Sequence, residues 1–153
     1  EISKLGGKPI GKSIDLKNTI KELTKQLEEI TIKNILADKK KNIIKNHNIK
    51  NISVRFQKII NLPFKELRRL VDQGKKEIKE GIVVIYATKE KKIGLAVGVT
   101  QALSKKYDAV NFVKSGSEIL GGKGGGGRPD FAQAGGIHID KIEESFEKIK
   151  KLI

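Results

Sequence analysis

The residues best able to do chemistry in this sequence stand together between positions 121 and 136. Gly121, Gly122, Lys123, Gly124, Gly125, Gly126, Gly127, Arg128, Pro129 and Asp130 run into Phe131-Ala132-Gln133-Ala134-Gly135-Gly136. Six glycines in the seven positions 121–127 are costly to order, because glycine loses more backbone freedom on folding than any other residue. What they permit is positive φ and close approach of backbone N–H groups to a ligand, and successive amides of that kind form a nest for an anion. Lys123 and Arg128 add full charges, and a guanidinium can fork two hydrogen bonds onto one phosphate. Gln133 adds a neutral donor and acceptor. A flexible tether is the plain alternative, and the fixed succession Arg-Pro-Asp-Phe-Ala-Gln argues against it. The run is not a P-loop, since no Gly-Lys-Ser/Thr closes it, and it does not occupy the β-turn-α setting of a dinucleotide site.

Little else in the chain offers catalysis. The absence of cysteine excludes disulfides and thiolate metal sites. His47 and His138 are far apart in sequence and have no ligand spacing around them, so no metal and no catalytic residue is expected. His138 reads as a solvated or capping histidine. The net charge of +14 points to a polyanion, because lysines that neutralise phosphates release counterions. Only four of the 32 basic residues are arginine (Arg55, Arg68, Arg69 and Arg128), so a lysine-rich composition bias is the competing reading. The longest apolar run, Ile82 to Ala87, is far below the roughly 20 residues that span a bilayer, and the first residues contain no apolar signal core. No membrane partner and a cytoplasmic address are expected. A chain that starts at Glu1 and has no methionine reads as a piece of a longer protein.

The elements that must position the glycine run fall into two parts. Residues 1–12, with Gly6, Gly7, Pro9 and Gly11, read as a linker or chain edge. Residues 13–48 read as a helical, coiled-coil-like stretch, starting near Asp15 with Ser13 or Asp15 as N-cap. Leu16, Ile20, Leu23, Leu27 and Ile30 recur at spacings of 4, 3, 4 and 3, an a/d seam. That seam can pair two copies, meet a helix elsewhere in a parent chain, or pack on a second helix in residues 33–47. Residues 49–153 read as a small α/β domain with a mixed sheet. Ile52, Val54 and Phe56 alternate as in a strand, and Pro63 opens a helix through Glu80. GIVVIYAT has the continuous apolar character of a strand covered on both faces, with IGLAVGV as its hairpin partner. Residues 101–107 and 108–120 read as helical. A glycine-rich loop at 121–136 and a terminal helix carrying Ile142, Phe146 and Ile149 complete the α/β class.

GGKGGGGRPDFAQAGG closely resembles the signature near the C-terminus of alanyl-tRNA synthetases, in the domain also attached to DHH phosphoesterases. FKELRRLVDQGKKEIKEGIVVIYATKEKKIGLAVGVT is similar to that family's helix, buried strand and hairpin in the same order. The resemblance runs from about residue 15 to the end, and residues 1–12 carry none of it. It implies a module that follows aminoacylation and editing domains, binds the elbow of tRNA, and helps both active sites act on one tRNA. The matching positions, Gly121 to Asp130 with Gln133, Gly135 and Gly136, are then the expected tRNA-binding residues. Partners implied are tRNA and the parent's other two domains. No cofactor is implied for this fragment, ATP and zinc belonging to domains it does not contain. Two readings stay open beside this one: the substrate-binding half of a DHH-type phosphoesterase, and an assembly module that forms a homodimer through the helical segment.

Overall fold

The computed structural model describes the backbone of residues 9–153 and the side chains from Leu16 onward. The chain divides into two compact units, one up to Asn34 and one from Ile35 to Ile153. The first consists of most of a long helix, α1 (Pro9–Ala37). Residues 9–12, expected to be linker, are thus helical, and Pro9 stands where a missing N–H costs nothing. Ser13 and Asp15, expected as N-caps, lie within this helix and not at its start, and residues 1–8 lie outside the described residues. Leu16, Ile20, Leu23, Leu27 and Ile30 form the expected stripe, and all five are exposed. Thr24 and Thr31 donate their hydroxyls to the carbonyls of Ile20 and Leu27 at 2.8 Å, which lets polar residues sit inside a helix.

The second unit is built on a six-stranded sheet: β1 (Asn42–Ile49), β2 (Ile52–Ile60), β3 (Gly81–Lys89), β4 (Lys92–Val99), β5 (Gly125–Arg128) and β6 (Phe131–Gly136). The spatial order is β1-β2-β3-β4-β6-β5. Only β2 and β3 are parallel, which requires a crossover, and α2 (Leu67–Ile78), entered through a 3-10 turn at Phe64–Glu66, supplies it. Successive residues of a strand face opposite sides of the sheet. Val84, Tyr86, Leu95 and Val97 therefore meet α3 (Ala109–Ile119) and α4 (Ile142–Lys151) through Phe112, Val113, Phe146 and Ile149. On the other side, Leu67 and Val71 of α2 lie directly over Gly94 and Gly98 of β4, and Gly74 over Val83 of β3. GIVVIYAT is buried throughout, as its continuous apolar character predicts.

One hydroxyl chain crosses the α3/α4 layer. Tyr86 and Ser145 share a hydrogen bond of 2.9 Å, and Ser145 Oγ donates to the Gly116 carbonyl at 2.9 Å. Burial pushes the Tyr86 phenol far above its usual range, an effect the Ser145 hydrogen bond only partly offsets.

Two expectations for secondary structure are corrected. The helical reading of residues 33–47 fails beyond Ala37, because Asn42–Ile49 is a strand paired with β2 along its whole length. Lys50 and Asn51 join the two strands at φ of 50° and 66°, the left-handed pair that a two-residue hairpin turn demands and that asparagine tolerates. Ile43, His47 and Ile49 then share one face of β1, where the His47 ring meets that of Phe146 at 5.4 Å. Residues 101–106 form successive turns, and α3 starts only at Ala109, where the Asp108 side chain accepts from Val110 N at 2.9 Å. Among the described residues, no helix is long and apolar enough to cross a membrane.

Candidate nucleic-acid interface

The glycine-rich segment is not one loop. Gly121–Gly124 follow α3, and Gly125–Arg128 form the edge strand β5, which pairs with β6 around a Pro129–Asp130 turn. Ladder hydrogen bonds offset the entropy of ordering so many glycines. The same pairing forbids the expected run of convergent amides through 125–128, because strand amides alternate in direction. The amides of Gly121 and Gly122 are also engaged, donating to Glu118 O at 3.3 Å and Ser117 O at 2.8 Å where α3 ends.

Most of the singled-out positions answer to the fold. A Cβ at Gly122 would run into the Gly135 carbonyl, one at Gly136 into Leu120, and those at Gly125 and Gly127 into the backbone of β6. Gly124 adopts φ +90°, which disfavours any side chain, and Gly121 packs under the His138 ring. Pro129 and Asp130 pin the hairpin tip. The Pro129 carbonyl accepts from Ala109 N at 3.0 Å, and that of Asp130 from Val99 N at 2.9 Å and from Lys75 Nζ at 3.3 Å.

Directly opposed residues of an antiparallel pair share a face. Gly126 opposes Gln133, and Arg128 opposes Phe131. Gln133 Nε2 donates to the Phe64 carbonyl at 3.4 Å, and the Arg68 guanidinium lies 5.7 Å from the Phe131 centroid, so this is the α2 face. Arg128 is exposed there, its Nε 3.9 Å from Asp130 Oδ1. Toward the other end of the β5–β6 pair opens a depression of about 520 Å³ lined by Phe64, Lys92, Lys123, Gly124, Gln133 and Gly135, among others. Lys123 and Gln133 thus line this depression together with the bare backbone of Gly124 and Gly135, while Arg128 stands on the same side of the sheet as Gln133, at the hairpin tip.

Sequence reasoning placed the helix α2 but gave its cations no role. Its outer side is a second depression of about 520 Å³ lined by Lys65, Arg68, Arg69, Asp72, Gln73 and Lys76. The signal was present: two of the four arginines stand side by side on the polar face of an amphipathic helix. At the far end of α2, Arg55 of β2 pairs with Glu77, and that hydrogen bond holds the Glu77 carboxyl below its usual range. Among the described residues, no three carboxylate or imidazole side chains gather as a metal site would require.

Residues 51–153 match the DHHA1 domain. The alanine–tRNA ligase of Parvibaculum lavamentivorans is 47% identical over 90 residues, covering 58% of this chain and 10% of that protein. The ligase of Hyphomonas neptunium is 49% identical over 86 residues, covering 56% and 10%. The chain therefore spans about a tenth of the length of the relatives it matches. The crystal structure of the C-Ala domain from Aquifex aeolicus alanyl-tRNA synthetase aligns with a TM-score of 0.67 at 31% identity, covering 71% of this chain and 96% of that one. A DHH domain from a member of the s1p family of ribosomal proteins shares the fold, at a TM-score of 0.54 and 21% identity. A match from β2 to the last residue, and to a C-Ala structure over nearly all of its length, places the chain in the DHHA1 family as the C-terminal domain of an alanyl-tRNA synthetase.

Proposed function

We propose that this chain is the tRNA-gripping, non-catalytic module of an alanine–tRNA ligase. It holds tRNA at the elbow so that the parent's aminoacylation and editing domains act on one molecule. The observation that carries this is a net charge of +14 on a chain whose sheet domain gathers Lys92, Lys123 and Gln133 around a depression with a glycine floor. Neutralising phosphates releases counterions, so affinity should fall steeply with salt, with a log–log slope on the order of −3 or steeper. Titration of tRNA at several salt concentrations tests it; a flat response, or no binding at about 50 mM salt, removes the electrostatic basis. An elbow grip also gives little preference for alanine identity elements, and a large preference for the cognate acceptor stem would move the contact elsewhere. On this reading ATP and zinc belong to the parent's other domains, and the site of action is the cytoplasm.

A second reading concerns assembly. The five exposed apolar residues of α1 repeat at coiled-coil spacing, and the flanking positions hold neutral Thr19, Thr24, Gln26 and Thr31 between Lys17 and Lys33. Sedimentation of the chain and of Leu23→Glu tests a homodimer through α1. A monomer in both cases removes that reading and leaves the tRNA grip untouched.

A further inference from the structure

We infer that the RNA lies on the α2 face of the sheet, its backbone following Arg68, Arg69 and Lys76, and that it makes its closest approach over Gly126 and Gly135. This rests on the tRNA reading above and assigns the surface that performs it.

The first argument is what the fold leaves unexplained. Of the eight glycines between 121 and 136, six are demanded by the fold, through positive φ or through a collision that a side chain would cause. Gly126 and Gly135 are not. Neither has positive φ. A Cβ at Gly126 would meet nothing within 4 Å, and one at Gly135 only the Ile93 carbonyl at 3.6 Å, an ordinary contact. Folding alone disfavours glycine in a strand, so bare backbone there needs another reason, and close approach of a second molecule supplies it.

The second argument is direction. Gly126 opposes Gln133, and Gly135 lies two residues beyond Gln133 on β6, so both share the face that Gln133 turns toward Phe64. On this side α2 covers Gly94 and Gly98 of β4, and beyond it Gly126 and Gly135 are exposed, like a shelf beside a wall. On the reverse side α3 packs over the same strands and Ala132 is buried, so a ligand has no access from there.

The third argument is charge. The depression on the wall next to the shelf is lined by four cations and one carboxylate, Asp72, with Glu66 3.7 Å from Arg69. Phe64, which lines the depression beside the glycines, directly precedes Lys65, which lines the one on α2. Arg68 is held over the Phe131 ring, which orients a planar fork toward a phosphate at less entropic cost than a free lysine incurs.

The test uses the whole chain and an unmodified tRNA transcript, with melting temperature read on every variant. Arg68→Gln with Arg69→Gln should weaken binding at least tenfold and lower the salt slope by about two, one per phosphate contact. Gly126→Ala and Gly135→Ala should each weaken binding severalfold with melting unchanged or raised. Lys114→Gln with Lys151→Gln removes the same charge from exposed positions on α3 and α4 and should leave affinity within about twofold. The inference is overturned if the α3/α4 pair weakens binding as much as the arginine pair, or if both glycine variants bind like the parent chain. Loss of salt-dependent binding in the unsubstituted chain would instead overturn the tRNA reading, and this inference with it.

Discussion

Replacing Arg128 with alanine distinguishes directed chemistry at the glycine hairpin from diffuse attraction by lysines. The structural cost should be small. The side chain is 66% exposed, and its Nε lies 3.9 Å from Asp130 Oδ1, too far for a hydrogen bond. Exposed pairs of this kind contribute about 0–1 kcal/mol, and Asp130 keeps Lys75 as a second cation, at 3.9 Å. The pairing of β5 with β6 is backbone to backbone and survives the truncation. A loss of stability near 0.5 kcal/mol corresponds to a melting shift of roughly 1–2 °C in a domain of this size. The binding cost should be large by comparison. A guanidinium hydrogen-bonded to phosphate contributes about 1.5–3 kcal/mol. With about 1.4 kcal/mol per tenfold, affinity falls roughly ten- to hundredfold, and the salt slope loses about one. Lys114→Ala, removing an equal charge from α3, should change affinity by less than about twofold. Fluorescence anisotropy of labelled tRNA at fixed salt measures both, with thermal melts alongside. Equal losses at unchanged stability would show that the hairpin has no special role. A melting drop of several degrees accompanying the lost affinity would make Arg128 a structural residue.

Truncation tests the unit boundary: residues 35–153 should melt cooperatively, whereas residues 48–153 lose β1, uncover the edge of β2 and melt lower; equal melting temperatures would mean that β1 contributes nothing. Ser145→Ala should cost about 1–3 kcal/mol, since it strands the buried Tyr86 hydroxyl, while Tyr86→Phe should cost about 0.5–1.5 kcal/mol; chemical denaturation that reversed this order would refute the hydroxyl chain. Tyr86 also sets an alkaline limit. Its folded pKa lies above the ordinary value of 10.0, so its contribution is complete below about pH 10 and is lost as the unfolded chain ionises above it. Stability should fall by up to about 1.4 kcal/mol per pH unit there from this group, and Tyr86→Phe should flatten that slope.

Much of this architecture is legible in the chain itself. GIVVIYAT is too uniformly apolar for a strand with a wet face, Ile52, Val54 and Phe56 alternate as a half-covered strand must, and Pro63 marks the entry to α2. The glycine run announces a special backbone, and its continuation into RPDFAQAGG announces a family. These signals are local, carried by hydrophobic periodicity and backbone constraint. What escaped depends on partners distant in sequence. NIIKNHNI carries too few apolar residues to declare itself a strand; it becomes one because the Lys50–Asn51 turn folds it back onto β2. Gly125–Gly127 have no side chains and so no period to read; only hydrogen bonds from β6 make them an edge strand. The clustering of Arg68, Arg128 and Gln133 on one side follows from strand register and from α2 crossing that side of the sheet. Composition determined that this chain is basic and carries a glycine-rich segment. Tertiary pairing decided which glycines serve the fold and which lie bare, because a missing side chain has meaning only relative to the atoms it would have met.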